Sequence, residues 1–420
     1  MRFLRSRRHS GDGVITHKIA GLLGILALCV CCYWPLRLAY ADHLACVGSL
    51  PATARASELV PGNAEYLLRQ AKLLDEAGQD PVPCLERAAA LEAPNASIWI
   101  QLGLQAEIAG DWPKAENYLL KAARASKQYE PRWALANYYF RRGDAERFWP
   151  WAKQALEISH EDPRPLFTLC WQLSEDAPLI LQRAIPERKL VLRQYLSFLL
   201  EQNRLAATPA VLQQLLARPD PSDAPVAMNL CSRLLQAGSV ASAVELWNHL
   251  CRQKLIAYEP LEPQRGVSIT NPAFRPATLP AAFDWRMPDV PGVSVEHVTS
   301  PPYLAISFWG KQPENCEVLW QYLPLAAGRT YRFGYRYRTE AIPRDAGLRW
   351  AVLDVAKGTE LTTNVPHLSS STWAEESLLF STPPGLESAR LALCYRRALG
   401  TTRIEGVLCL ENVNLRFAHE

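Results

Sequence analysis

Three glycines at a nearly constant spacing constrain this chain more than any other feature of its sequence. Gly78, Gly110 and Gly143 each close an apolar-periodic stretch, and each is followed by Gln or Asp and a second amphipathic stretch. A glycine at this place lets a helix end in a left-handed residue, so that the next helix can fold back. A period of about 33 residues is typical of stacked helical hairpins. We therefore predict an α-solenoid over residues 61–256.

One hairpin, within residues 96–129, shows the packing pattern most clearly. Its first helix has a Trp-x2-Leu-Gly pattern and its second has small residues at regular positions, namely Trp99, Leu102, Gly103, Ala115 and Ala122. This hairpin resembles the tetratricopeptide repeat, and its neighbours match that pattern less fully. We expect roughly six hairpins, of which the last three are divergent.

The resemblance to tetratricopeptide repeats implies a groove that binds a peptide or a partner protein. In that family, the groove-facing side chains come from the first helix of each pair. The corresponding positions here are Ile100, Leu104, Glu107, Tyr138 and Arg141. An ordinary surface or packing role is the alternative for each of them.

The N-terminal 60 residues predict a membrane anchor. Residues 1–18 form a basic tail, residues 19–40 an apolar transmembrane helix, and residues 41–60 a juxtamembrane helix. Basic residues before an apolar helix keep that end in the cytoplasm, so we expect the bulk of the chain outside a bacterial inner membrane. The alternative is secretion after cleavage near Ala41, since Ala39-Tyr40-Ala41 has the small-x-small form of a signal-peptide site.

The pattern changes after the helices. Residues 257–267 are rich in proline and lack a helical pattern, which indicates a linker. Within residues 268–420, aromatic residues alternate with arginine or glycine from Tyr331 to Arg338, which predicts a half-buried strand. Many short strands without helices predict an antiparallel β-sandwich of the jelly-roll type. The predicted fold class is thus multidomain α plus β, with an anchor helix, a solenoid and a sandwich.

Several short motifs of the C-terminal region occur in an order that covers nearly all of residues 268–417. They are Asn271 with Phe274, Phe283-Asp284-Trp285, Gln321–Leu325, Gly328–Phe333 and Ile404–Val413. This arrangement is similar to carbohydrate-binding modules of the family 4 and 9 type. The resemblance implies a jelly roll that binds polysaccharide.

A sandwich that binds sugar needs flat aromatic faces for the rings and polar groups for the hydroxyls. Trp309 lies in a turn and Trp373 follows a run of serines, so we expect both to be exposed. Trp320 and Trp350 lie at strand positions that suit a core equally well. Core packing is the alternative for all four.

Three arginines follow the strand period. Arg332, Arg336 and Arg338 are separated by two or four residues and therefore emerge on one face of a sheet. Such a face can meet an anionic polysaccharide through bidentate bonds to carboxylates. The alternative is a solvated outer face.

The sequence gives no signature of a metal site or cofactor. Its 11 cysteines form no metal-binding spacing outside the apolar segment. Cys394 and Cys409 flank a predicted hairpin and can either pair in an oxidising compartment or act as small apolar residues. The formal net charge of +3 gives no reason to expect nucleic acid as a partner.

Catalytic motifs are likewise missing from the sequence, and we predict no catalytic residue and no enzyme activity. A glycosidase stays open as a less favoured alternative, because its two acids meet only in space. Candidate carboxylates are Asp284, Glu296, Asp354 and Glu360.

The three-part order favours a membrane-anchored adaptor of the bacterial cell envelope, with a protein partner in the helical groove and a glycan on the sandwich. A plausible setting is assembly or export of exopolysaccharide or O-antigen. The alternative is a purely structural interaction protein, whose sandwich caps the solenoid or dimerises.

Overall fold

The computed structural model describes residues 12–160, 162–275, 280–363 and 365–418, without the side chains of residues 12–27 and 30. The chain divides into two compact units, Met1–Pro186 and Glu187–Glu420. The boundary lies inside the range predicted as solenoid. The last helices therefore belong to the same compact unit as the strands.

The first unit is helical throughout its described part. Its helices are α1 (Asp12–Val47), α2 (Leu50–Leu59), α3 (Ala64–Glu76), α4 (Val82–Leu91), α5 (Ala96–Ile108), α6 (Trp112–Ala125), α7 (Tyr129–Arg141), α8 (Ala145–Ile158), α9 (Arg164–Leu173) and α10 (Ala177–Arg183). Helices α3 and α4, α5 and α6, and α7 and α8 pack against each other as successive hairpins.

Local chemistry explains where these helices begin and turn. Asn95 caps α5, because its side chain accepts a hydrogen bond from the backbone N–H of Ser97 at 3.1 Å. Asp111 caps α6 in the same way, through the N–H of Lys114 at 3.1 Å. Between them, Gly110 has a φ of +78°. The predicted helix-ending role of this glycine is confirmed.

The two helices of the central hairpin approach closely at a glycine. A Cβ atom placed on Gly103 would lie 2.8 Å from Cγ of Leu119, which is closer than side-chain atoms normally come. Leu119 is fully buried, as are Ala115 and Ala122 on the same helix. The small residues of the Trp-x2-Leu-Gly pattern therefore set the distance between α5 and α6.

The membrane-anchor prediction receives no support from the described residues, among which no helix is long and apolar enough to cross a membrane. Residues 1–11 and the side chains of residues 12–27, where much of the predicted tail and anchor falls, lie outside the description. Further along α1, Ala41 and Ala45 pack with Tyr66 of α3, whose hydroxyl donates a hydrogen bond to Asp42.

The second unit combines helices and strands. Its helices are α11 (Lys189–Glu201), α12 (Thr208–Leu216), α13 (Ala224–Gln236) and α14 (Val240–Arg252), with short 3-10 helices at Leu205–Ala207, Pro221–Asp223 and Pro263–Arg265. Its strands are β1 (Val293–Thr299), β2 (Pro302–Trp309), β3 (Asn315–Pro324), β4 (Thr330–Glu340), β5 (Leu348–Asp354), β6 (Ala374–Ser381), β7 (Ser388–Arg396) and β8 (Glu405–Phe417).

The described strands form two antiparallel sheets. One has the order β1-β2-β8-β4-β6 and the other the order β3-β7-β5. From β2 onward, every connection along the chain passes from one sheet to the other. This is the winding of a jelly roll, so the predicted antiparallel sandwich is confirmed.

Strand β4 shows how the sequence builds the core between these sheets. Its aromatic residues, at every second position, are at most 2% exposed, and they are Tyr331, Phe333, Tyr335 and Tyr337. The intervening arginines are half-buried on the other face. Burial raises the pKa of Tyr337 to about 12, and its hydroxyl bonds Glu376 at 2.9 Å. The predicted alternation of this strand is confirmed.

The segment predicted as a linker packs against its surroundings. Leu261 is 2% exposed, and the side-chain amide of Asn248 on α14 bonds both its N–H and its carbonyl, at 2.7 and 2.8 Å. The hydroxyl of Tyr258 donates to Asp284 at 2.5 Å. These contacts join the last helix to the start of the sandwich within one compact unit.

The hairpin predicted between Cys394 and Cys409 is wrong. Strand β7 pairs with β3 and β5, whereas β8 pairs with β2 and β4, so the two cysteines lie in different sheets. Both are free thiols. The physical reason is the jelly-roll winding, which sends the chain to the opposite sheet after β7.

Candidate functional site

The outer face of the five-stranded sheet carries the three arginines of β4. Arg332, Arg336 and Arg338 occupy alternate half-buried positions, while the aromatic residues between them point into the core. The neighbouring strands on this face are β8 and β6.

An aromatic cluster lies at one end of this face, next to two of the arginines. The guanidinium carbons of Arg336 and Arg338 lie 5.5 and 5.6 Å from the ring centroid of Trp373, which precedes β6. The ring of Tyr303, on β2, meets Trp373 edge-on at 5.9 Å. Each cation–ring contact contributes about 0.5–1 kcal/mol at exposed sites. These contacts hold the indole of Trp373 in place and leave it half-buried, so the prediction that Trp373 is exposed is wrong.

Acidic side chains balance the charge of this cluster. Arg336 pairs with Glu411 at 2.5 Å, and Arg338 pairs with Glu340 at 2.8 Å. The Nε–H of Arg338 is buried and has no acceptor among the described residues. The cluster, which we call the Trp373 platform (Tyr303, Arg336, Arg338, Trp373 and Glu411), therefore combines a half-buried aromatic ring with charged side chains that are largely paired.

The sequence alone does not predict that Tyr303 and Glu411 belong to the Trp373 platform. Tyr303 lies 70 residues before Trp373 and reaches it only through the order of the strands. Glu411 is the extra residue in β8 where the pairing with β4 shifts between Arg336 and Tyr337. Such a bulge redirects a side chain, and nothing in the local sequence announces it.

The other predicted sugar-binding residues lie elsewhere. Trp309 is 62% exposed but lies six residues from Tyr303 along β2, about 20 Å at the rise of a strand. Arg332 lies four residues from Arg336 and is paired across the strands with Arg416. Trp350 is fully buried in the core, and Trp320 is half-buried on the three-stranded sheet.

In the first unit, a shallow groove runs between α3 and α5. Leu104, 42% exposed, lines it together with Leu68, Lys72 and Gln101. Its volume is about 340 Å3. Ile100, the other predicted groove residue of α5 with an apolar side chain, is half-buried.

The remaining predicted groove residues connect hairpins to one another. Arg141 of α7 donates two hydrogen bonds to the carboxylate of Glu107 on α5, at 2.6 and 2.7 Å. Tyr138 is 3% exposed, and its hydroxyl donates to the carbonyl of Trp112 at 2.9 Å. These side chains are occupied by packing and pairing between neighbouring helices.

The carboxylates considered for catalysis have structural partners, apart from Glu296, which is exposed on β1. Asp284 is buried, which raises the pKa of its carboxyl, and it accepts from Tyr258. Asp354 accepts from two backbone N–H groups of the following turn. The Arg349 guanidinium bonds both oxygens of Glu360 and lowers the pKa of that carboxyl.

No family model matches the sequence, and no curated protein matches it either. Similar solved structures include tetratricopeptide repeat proteins and carbohydrate-binding modules. One, described as "CBM4 structure and function", is 13% identical with a TM-score of 0.27, and the match covers 35% of this chain and 94% of the other chain. YrrB, "a TPR protein with an unusual peptide-binding site", is 14% identical with a TM-score of 0.26, covering 49% and 94%. PilF of Pseudomonas aeruginosa is 12% identical with a TM-score of 0.26, covering 52% and 90%.

Proposed function

We propose that this chain is a non-catalytic adaptor that binds a glycan on the outer face of its five-stranded sheet and a protein segment in its helical groove. The observation that carries the proposal is the Trp373 platform. A flat indole held beside hydrogen-bonding groups matches the two surfaces of a sugar ring, its C–H face and its hydroxyls.

The geometry of the platform supports a preorganised site. Arg336 and Arg338 are already held by carboxylates, so little side-chain entropy remains to be lost on binding. Glu411 is partly exposed and can accept a hydrogen bond from a hydroxyl, and the partly exposed side chain of Arg338 can donate one. Because a carboxylate neutralises the arginine in each ion pair, the platform favours a neutral sugar over an anionic one.

The groove of the first unit supports the second half of the proposal. An exposed leucine, Leu104, lies beside the amides of Gln101 and Gln105, which suits the backbone and apolar side chains of a bound peptide. A Leu104→Glu variant tests this half in a pull-down from an envelope extract. We expect partner recovery to fall, while Ile108→Glu, at a 79% exposed position on the same helix, leaves it unchanged. Equal recovery with both variants contradicts the groove.

We also propose that the chain works in the bacterial cell envelope, outside the inner membrane, in assembly or export of exopolysaccharide or O-antigen. The proposal rests on the basic and apolar segments of residues 1–40. Membrane fractionation with protease digestion of intact spheroplasts tests it. Protection of the sandwich from external protease contradicts an exported position.

The glycan half is tested by screening the full chain against an array of bacterial polysaccharides and their oligosaccharides. We expect retention of at least one glycan and weaker retention of it by Trp373→Ala. A uniformly silent array, together with intact folding, supports the second candidate, a purely structural interaction module. That candidate is favoured by one observation, namely that protein carboxylates already neutralise the charges of both platform arginines.

A further inference from the structure

A second cleft lies inside the C-terminal unit, between α13 and the segment that leads into the sandwich. One face of α13 lines it with residues spaced three or four apart, and Pro280, Ala281 and Arg286 lie opposite. The lining residues of α13 are Pro225, Met228, Asn229, Ser232, Arg233 and Gln236. The volume of the cleft is about 480 Å3, which is the size of a small-ligand site.

Arg286 is the unusual residue of this cleft. The residue is half-buried, and no carboxylate of the described residues lies within ion-pair distance of it, although the charge of Asp284 acts on it from further away. One nitrogen donates to Oγ of Ser232 at 3.3 Å, and the Nε–H is buried without an acceptor in the described part of the chain. Burial lowers the pKa of Arg286, but an arginine remains a cation in proteins. A half-buried cation without a protein carboxylate is stabilised when an external anion meets it.

Two half-buried arginines of the sandwich differ from Arg286 in this respect. Arg390 pairs with Glu317 at 2.7 Å, and Arg336 pairs with Glu411 at 2.5 Å. Both have their charge satisfied within the protein. Arg286 has no such protein carboxylate among the described residues, which leaves its charge available to an external anion.

The backbone holds Arg286 in a fixed position. Its N–H donates to the carbonyl of Trp320 at 2.7 Å, and its own carbonyl accepts from the Trp320 N–H at 3.0 Å. Its guanidinium carbon lies 5.4 Å from the ring centroid of Trp320. A cation held in this way loses little freedom when a ligand binds.

The rest of the lining defines the ligand. Arg233 adds a second guanidinium, with no ion pair to any described residue. Asn229 and Gln236 each offer donors and acceptors, as hydroxyl groups require. Pro225 and Pro280 are exposed and add apolar surface. A ligand complementary to these lining residues has a carboxylate, several hydroxyls and a C–H face.

We infer that this cleft binds the carboxylate of an acidic sugar, a uronic acid residue of a polysaccharide. The guanidinium of Arg286 bonds the carboxylate, Arg233 adds charge, and the two amides bond the ring hydroxyls. The inference rests on the proposed glycan-binding function and names a second subsite with a different sugar class. The Trp373 platform takes the neutral part of the chain, and the cleft takes the acidic part.

Isothermal titration of the full chain with a galacturonic acid trisaccharide, a neutral galactose trisaccharide and inorganic phosphate tests the inference. We expect the acidic trisaccharide to bind, and Arg286→Gln to weaken it by about 10- to 100-fold, as for lost hydrogen bonds to a charged group. Arg233→Gln, at an exposed helix position that does not endanger folding, weakens it in the same direction. Arg265→Gln, an exposed arginine paired with Glu262, is the control and leaves it unchanged.

Equal affinity for the acidic trisaccharide in the parent chain and both variants overturns the inference, as does phosphate binding as tightly as the uronic acid. If Trp373→Ala abolishes glycan binding and Arg286→Gln has no effect, the cleft fails while the proposed function stands. If the parent chain binds neither trisaccharide and no glycan on the array, both fail.

Discussion

The helical unit and the sandwich obtain their contacts in opposite ways. In the helical unit, Gly103 meets Leu119 of the next helix, and Glu107 meets Arg141 of the next hairpin. In the sandwich, Tyr303 meets Trp373, with three intervening strands along the chain. The regular helical repeat therefore indicates in the sequence which helices contact each other. The surface of the sandwich, in contrast, is formed by residues that are far apart along the chain. Substitutions that act on one region alone test this difference.

Trp350→Ala is expected to have the largest effect, because the ring is fully buried and contacts Phe333 at 5.1 Å and Tyr335 at 6.2 Å. The loss of stability is about 3–5 kcal/mol. Hydrogen exchange followed by mass spectrometry measures it region by region. We expect amide protection to fall in β4 and β5 and to stay unchanged in α5. An equal loss in α5 contradicts separate stabilities of the two regions.

Gly103→Ala is the matched change in the helical unit. The new Cβ would lie 2.8 Å from the buried Leu119 side chain, so either Leu119 must shift or α5 and α6 must move apart, at a cost of about 1–3 kcal/mol. Gly62→Ala is the control, since nothing lies within 4 Å of the Cβ it would add. Urea titration of each variant measures the cost. A Gly103→Ala chain as stable as Gly62→Ala would show that close helix approach is unimportant here.

The Glu107–Arg141 pair tests coupling between successive hairpins. The carboxylate is nearly buried and the contact is bidentate, so a double-mutant cycle with Glu107→Gln and Arg141→Gln is expected to give a coupling of about 0.5–1 kcal/mol. The measured quantity is the unfolding free energy of the two single variants, the double variant and the parent chain. Additive effects of the two substitutions mean that the pair contributes packing only.

A smaller, pH-dependent effect is expected from Glu360 in the sandwich. Arg349 lowers the pKa of its carboxyl below 4.5, so the folded state binds that proton less tightly than the unfolded chain. The stabilisation is complete above pH 4.5 and is lost as the pH falls through the folded pKa. The stability difference between the parent chain and Glu360→Gln, from thermal melts at several pH values, should therefore shrink in acid. A difference that grows in acid has the wrong sign for this account.

The sequence predicts the features that depend on local periodicity. The φ of Gly110 and the alternating burial of β4 follow from spacing alone, because they concern neighbours within one turn or one strand. The shared face of Arg336 and Arg338 follows for the same reason.

Features that depend on strand order could not be predicted from the sequence. The hairpin expected between Cys394 and Cys409 is not formed, because β7 and β8 enter different sheets. Tyr303 and Glu411 join the Trp373 platform only through that strand order and through a bulge in β8. The partial burial of Arg286 and its lack of a carboxylate partner among the described residues likewise arise only in the folded chain.

The central claim is that the Trp373 platform binds glycan, and calorimetric titration of the full chain with an array-positive oligosaccharide tests it most directly. The exposed Trp309, at the other end of β2, gives a matched control. We predict that Trp373→Ala weakens binding by about tenfold or more, as loss of a central aromatic anchor does, while Trp309→Ala leaves it within about twofold. Unchanged affinity in a folded Trp373→Ala chain, with loss in Trp309→Ala, would contradict the claim.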